Sequence, residues 1–362
     1  MLREQRLTEE VEITLPMGET ARFHLHGQEF TGTFAACYVV KDAGDDPDVT
    51  NGAEIHARVM LAEITPSPRP SPARGEGEGE DESRIGIEGG IGIGKVTKPG
   101  LAVPVGQWAI NPVPRRMIAE AIAEVFPRLA SRVPLHVTLS IPNGEELAKK
   151  TLNARLGIIG GLSILGTTGI VKPISAKAWT DTIDAAIDVA RACGAETIVF
   201  STGRTSELVA QKFFGNREAG SGKRDSGSGE KLKEEAFVMM GDHVGYALRA
   251  CARKEVRRVV LAGQFAKLLK IACGHEQTHV SSSELDLRML AEWCGFALPA
   301  SRFPLPVREA NTARQILEAS GNDAGLIALV CERAREFAER AAPGLEVKVL
   351  LAGYHGEMLY FG

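Results

Sequence analysis

Residues 41–55, KDAGDDPDVTNGAEI, gather a lysine, four aspartates, two glycines and a proline between apolar runs. The flanking runs, Tyr38-Val39-Val40 before it and 55–64 after it, read as strands. A tight hairpin needs about two turn residues and no clustered charge. Asp42, Asp45, Asp46 and Asp48, led by Lys41, instead crowd like charges together. Such a set suits a cationic or hydroxyl-bearing ligand, or a hard divalent ion. A solvated acidic turn is the plain alternative.

Three further stretches carry chemistry by type and spacing. GGIGIGKV, beginning at Gly89, follows the phosphate-loop pattern up to Val96, where the hydroxyl that would hold Mg²⁺ is missing. Thr97-Lys98-Pro99 does not open a helix, so triphosphate hydrolysis is not expected. A backbone that approaches a ligand closely remains an open reading of the glycines. HEQTH, from His275 to His279, has the spacing of a zinc protease, which requires both imidazoles on one helix face. Gly274 precedes it, and 281–284 (SSSE) reads as the cap of a new helix. Two histidines at a helix end, one of them near a ligand, are therefore expected instead. In GTTGIVKP, from Gly166, Thr167, Thr168 and Lys172 suit an anion or a carboxylate-bearing ligand, with a plain turn as the alternative.

The elements that must position these groups change character along the chain. Residues 1–150 read as an α+β domain: strands at 11–15, 22–25 and 135–139, and one helix over 115–129 with an apolar face. Residues 151–362 read as an α/β domain with a Rossmann-like, mostly parallel sheet, because helices at 180–193, 232–253 and 324–341 lead into short apolar strands. Ligands in such sheets bind beyond the carboxyl ends of the strands, which here places Thr202 and Gly203 among the candidates. Two segments, 65–82 (Pro-rich, then Gly/Glu-rich) and 218–230, have no apolar face and are expected to be disordered or flexible inserts.

A chain of 362 residues favours two domains, and 44% apolar content can fill their cores. A net charge of −4 offers no general attraction for nucleic acid, and no apolar run reaches membrane-spanning length. Six scattered cysteines without a CxxC pair and a polar N-terminus point to a cytoplasmic protein with reduced thiols. Homo-oligomerisation is left open.

Read together, residues 41–55, 96–118 (VTKPGLAVPVGQWAINPVPRRMI) and 160–173 (GGLSILGTTGIVKP) resemble the CbiD family. These are the cobalt-precorrin-5B C(1)-methyltransferases of anaerobic cobalamin biosynthesis. STGRTSE from Ser201, GDHVGYAL from Gly241 and 263–279 continue the resemblance in family order. It implies transfer of a methyl group from S-adenosylmethionine to C1 of a cobalt-containing tetrapyrrole giving cobalt-precorrin-6A, with no protein-bound metal. The substrate's carboxylates imply basic contacts, for which Lys98, Arg115, Arg116 and Lys172 stand within matched blocks, beside Asn111. The aspartates 42, 45, 46 and 48 are expected to hold the donor or to orient those cations. No residue is singled out as a general base. Members of the family open with a Gly/Thr/Cys/Ala-rich stretch resembling GxTTGxCAxAA, and this chain begins at about the first strand. A catalytically impaired tetrapyrrole-binding or pathway-scaffold protein is therefore the alternative expectation.

Overall fold

The structure, a computed structural model, describes residues 1–16, 18–61, 85–126, 134–166, 176–215, 231–297 and 310–362. Both low-complexity segments, and Thr167, Thr168 and Lys172, lie outside the described residues. The chain divides into two units, Met1–Ser175 and Ala176–Gly362.

The first unit opens with a hairpin of β1 (Glu10–Thr14) and β2 (Thr20–His24). Its main sheet is built from β3 (His26–Phe30), β4 (Phe34–Val40), β5 (Glu54–Leu61), β6 (Ile85–Gly89) and β8 (Leu135–Ser140), in the order β3-β4-β5-β8-β6. All neighbours are antiparallel except β6 and β8. The aspartate-rich segment is the connection between β4 and β5, with Val40 opposite Glu54. A short β7 (Lys95–Val96) pairs with β9 (Ile158–Ile159), and Leu162 and Ile164 bridge to Ile93 and Ile110. These contacts group the segment after residue 150 with the first unit.

Helix α1 (Pro112–Val125) sets Ile118 and Ile122 against Leu135, Val137 and Leu139 of β8. It begins three residues earlier than expected, because Pro112 and Pro114 fit in a first turn whose N–H groups have no intrahelical partner. A short α2 (Gly144–Ala148) follows β8.

The second unit contains α3 (Ala176–Ala192), β10 (Thr197–Ser201), α4 (Arg204–Gly215), β11 (Phe237–Met239), α5 (Val244–Arg253), β12 (Arg258–Gln264) and α6 (Phe265–Ala272). After these come α7 (Leu287–Ala297), α8 (Ala313–Ala319), α9 (Ala324–Ala341), β13 (Glu346–Ala352) and β14 (Met358–Phe361). The sheet order is β11-β10-β12-β13-β14, with β14 antiparallel to an otherwise parallel set. Both faces are covered, as continuous apolar strands require. Ile198 and Phe200 pack in a core with residues of α3, α5, α6 and α9, while Val199 packs with Val209, Ala210 and Phe214 of α4.

Two expectations are corrected. The helix read over 232–253 is interrupted: Phe237–Met239 pair with Val199–Ser201 as a strand, and the helix starts only at Val244. A neighbouring strand with open hydrogen bonds outweighs local helical preference there. The cap after HEQTH is Asp286, whose Oδ1 accepts from the N–H groups of Arg288 at 3.0 Å and Met289 at 2.9 Å; SSSE is not the cap. Among the described residues no helix is long and apolar enough to cross a membrane.

Candidate active site

The aspartate loop is closed at its base by Lys41 N–H to Ala53 O at 2.9 Å and Gly52 N–H to Lys41 O at 2.8 Å. The ammonium of Lys41 pairs with Asp48 and donates to Thr50 Oγ1 at 2.6 Å. Asp48 Oδ1 accepts from the Thr50 hydroxyl at 2.7 Å and its N–H at 2.8 Å. Burial pushes the Asp48 carboxyl up, but the bonds from Lys41 and Thr50 outweigh it and hold the group below the usual range. Asp42 accepts from Gly44 N–H at 2.8 Å, and Asn51 from Ala43 N–H at 3.0 Å. Lys41, Asp42 and Asp48 thus shape the loop, which explains charge that a hairpin alone does not need. Asp45 stands exposed on it and Asp46 is half-buried.

The glycine run from Gly89 is a junction of backbones. A Cβ on Gly92 would lie 1.9 Å from Ile141 O, and Cβ atoms on Gly161 and Gly144 would lie 2.2 and 2.3 Å from Gly92 O. No helix follows β6, so these glycines serve three-segment packing and not a phosphate. Nearby, Arg115 donates to Ile110 O and Ile87 O at 2.9 Å and to Trp108 O at 3.4 Å. Burial lowers its pKa, and the guanidinium braces backbone carbonyls at the start of α1. Arg116 is exposed. Asn111 accepts the Arg115 N–H through its carbonyl and donates its own N–H to Ile164 O at 3.0 Å. Lys98 lays its stem against Gly157 and reaches Arg155 O at 3.4 Å.

In the second unit the strand order makes a switch point, where a crevice is expected. The chain leaves β10 for β11 on one side and then crosses to β12 on the other, so the connections diverge between β10 and β12. At such a point the loops after adjacent strand ends separate and leave room for a ligand. Thr202 and Gly203 stand at the end of β10, and Thr202 donates its N–H to Ala262 O of β12 at 3.0 Å. Gly203 faces open space where a Cβ would project. Its N–H reaches Ser206 Oγ at 3.3 Å, and that hydroxyl returns a bond to Gly203 O at 2.9 Å, fixing the first turn of α4. Ser201 and Glu207 are fully buried behind this turn.

HEQTH lies after α6, which ends before Gly274 at φ +95°, and is not helical. His275 is half-buried, whereas His279 is exposed with Nδ1 2.7 Å from Ser281 Oγ. The segment is tied down by groups within the quoted blocks that were not among the candidate site residues. Asp242 pairs with Lys267 and accepts from Thr278 Oγ1 at 2.6 Å, and Lys267 also donates to Thr278 O at 3.1 Å. Burial raises the Asp242 pKa, but Lys267 and Thr278 bring it below the ordinary value. Lys270, its pKa lowered by burial, donates to Ser283 O at 2.8 Å and Thr278 O at 3.2 Å. Among the described residues no group of three or more His, Cys, Asp or Glu side chains is placed to hold a metal ion.

The sequence matches the family CbiD over residues 1–173 and the CbiD C-terminal domain over residues 277–361. This chain belongs to the CbiD family. A cobalt-precorrin-5B C(1)-methyltransferase of Geobacter metallireducens is 66% identical over 362 residues, spanning 100% of this chain and 93% of that protein. The protein of the same name from Geobacter sulfurreducens is 64% identical with the same coverage. A crystal structure of the cobalamin biosynthesis protein cbiD from Archaeoglobus fulgidus is 26% identical, covering 76% of this chain and 75% of that one at a TM-score of 0.34. Within this CbiD chain the first match takes in the aspartate loop and the glycine junction, and the second runs from Gln277 into β14. The crevice at Thr202 and Gly203 lies between the two matched ranges.

Proposed function

We propose that this chain transfers the methyl group of S-adenosylmethionine to C1 of cobalt-precorrin-5B, giving cobalt-precorrin-6A, in the cytoplasm. The observation that carries the reading is the similarity along the whole chain to proteins bearing that name, at 66% and 64% identity. The donor sits in the crevice beyond β10 and β12, against Thr202 and Gly203, where open space meets the start of α4. Among the aspartates, Asp42 and Asp45 are exposed; Asp42 accepts from Gly44 N–H, which leaves Asp45 as the rival point of donor contact.

The reaction is an in-line displacement. Electrons from the macrocycle form the new C1–methyl bond while the methyl–sulfur bond breaks, and the sulfonium leaves as a neutral thioether that needs no acid. The methyl group is already activated, so the protein contributes alignment and exclusion of water. Lys98, Arg116 and Lys172 are the cations proposed for the substrate's carboxylates; Arg115 braces backbone carbonyls.

An anaerobic assay with labelled S-adenosylmethionine and cobalt-precorrin-5B tests the reading, and label recovered in the tetrapyrrole is the expected result. Binding of both ligands without transfer refutes turnover and leaves a binding protein. Calorimetry locates the donor. Gly203→Val is expected to weaken donor binding about tenfold by filling the crevice, while Asp45→Asn leaves it unchanged. The reverse pattern moves the donor to the loop.

A further inference from the structure

Two rings at the carboxyl edge of the second unit's sheet have no part in the contacts described above. Trp179, in the first turn of α3, donates Nε1–H to Met240 O at 3.0 Å, yet 43% of the residue stays exposed. Its ring covers Gly241, where a Cβ would lie 2.9 Å from Trp179 Cζ2. His243 follows at the start of α5, its ring nearly parallel to the indole at 29° with centroids 6.2 Å apart. The indole is thus anchored by its polar atom and by packing, while much of its apolar surface faces water, which costs free energy.

The imidazole is also set. His243 Nδ1 lies 2.8 Å from Gln277 Nε2, an amide nitrogen that can only donate. Nδ1 therefore accepts, and Nε2 carries the proton of the neutral ring as a donor without a partner among the described residues. Among the described residues, three carboxylates on these segments are occupied: Asp242 by Lys267, Glu276 by Arg249 at 2.7 Å, and Asp181 by Lys177 at 2.8 Å. A polyanion approaching the rings would meet paired charges and two imidazoles, His243 and the exposed His279. The rings also adjoin the crevice, since Ser201 O accepts from Met240 N–H at 3.0 Å and Gly241 N–H at 3.2 Å, one residue before Thr202.

We propose that Trp179 and His243 form the seat of the macrocycle. A flat conjugated segment of a carboxylate-bearing cobalt tetrapyrrole stacks on the indole, and His243 Nε2–H donates to one of its carboxylates. The inference rests on the methyltransferase reading for the identity of the ligand. It adds the ligand's place, beside the donor crevice and on residues that were not among the candidate site residues.

The test titrates the full chain with cobyrinic acid, a stable cobalt corrinoid with free carboxylates, following the corrinoid's visible absorption. Trp179→Ala is expected to raise Kd about tenfold, the scale of one lost stacking partner. Trp179→Phe, which keeps a ring, is expected to raise it about twofold and His243→Ala about threefold, while Leu7→Ala, on the first unit, changes nothing. Donor affinity by calorimetry stays constant throughout, which separates a ligand contact from a general packing role. In turnover, Trp179→Ala raises KM for cobalt-precorrin-5B more than it lowers kcat. A folded Trp179→Ala that binds cobyrinic acid like the parent overturns the seat, as does a parallel loss of donor affinity. Should that variant not fold, unchanged Kd in both Trp179→Phe and His243→Ala overturns it equally. Parent protein that turns over, with KM unmoved by these variants, sinks the seat and keeps the methyltransferase. Parent protein that binds corrinoid through Trp179 without transferring label does the opposite.

Discussion

Replacement of Gly92 by alanine tests the backbone junction of the first unit. Two costs combine at this position. The φ of +74° places an L side chain in the left-handed region, at about 1 kcal/mol after allowing for the stiffer unfolded chain. The new Cβ would also stand 1.9 Å from Ile141 O, so the backbone of 141–144 must move, a displacement on the scale of overpacking at about 2–3 kcal/mol. Two companion variants separate the terms. Gly106, at φ +87° with nothing within 4 Å of its Cβ position, isolates the conformational term. Gly161, whose Cβ would lie 2.2 Å from Gly92 O without a positive φ, isolates the steric one. Hydrogen exchange of Gly94 and Leu162 reports the outcome, since their N–H groups bond across the junction, to Leu162 O and Gly92 O. Exchange is expected to accelerate about fivefold in Gly106→Ala, roughly fiftyfold in Gly161→Ala and several hundredfold in Gly92→Ala, at about 1.4 kcal/mol per decade. Equal acceleration in Gly92→Ala and Gly106→Ala would refute the junction, because only the conformational term would then be present.

Asp48→Asn removes the ionic partner of Lys41 and is expected to destabilise the 41–53 connection by about 1–3 kcal/mol, read as faster exchange of the Gly52 and Ala53 amides. Unchanged exchange would show that the pair does not hold the loop. The same carboxyl sets a pH dependence. Held below its ordinary value in the fold, it stabilises fully above about pH 4 and loses that contribution as pH falls through its folded value. Acidification should therefore loosen this loop in the parent and have less effect in Asp48→Asn. Asp242→Asn is expected to release the 275–283 segment, seen as lost protection of the Thr278 amide, which donates to Asp242 O. Retained protection would mean that Lys267 and Lys270 suffice to hold it.

The strands that pattern found were those whose side chains alone dictate burial. Ile198 to Phe200, Val259 to Leu261 and Val349 to Leu351 are apolar without interruption and buried on both faces. Helix α9 was equally legible, since Asp323 caps it through a 2.9 Å bond from Leu326 N–H, and its apolar period is unbroken. Strand β11 was not, because three residues beside helix-forming neighbours become a strand only when β10 offers its edge. The candidate site divides the same way. Thr202 and Gly203 followed from a short apolar strand ending in glycine. Asp242, Trp179 and His243 did not, because their roles depend on partners that are distant in sequence: 25 residues for Lys267, 61 for Met240 and 34 for Gln277.

By itself the sequence determined the composition of each core, the alternation of helix and parallel strand in the second half, and the blocks that mark a CbiD chain. These are properties of residue type and spacing, and they survive without coordinates. Tertiary structure alone decided what the charged and glycine-rich blocks do. Lys41 is consumed by Asp48, Arg115 by three carbonyls, and the glycines of 89–94 by the approach of 141–144 and 161. A side chain's chemistry is what remains after its hydrogen bonds are spent, and only the fold determines which are spent.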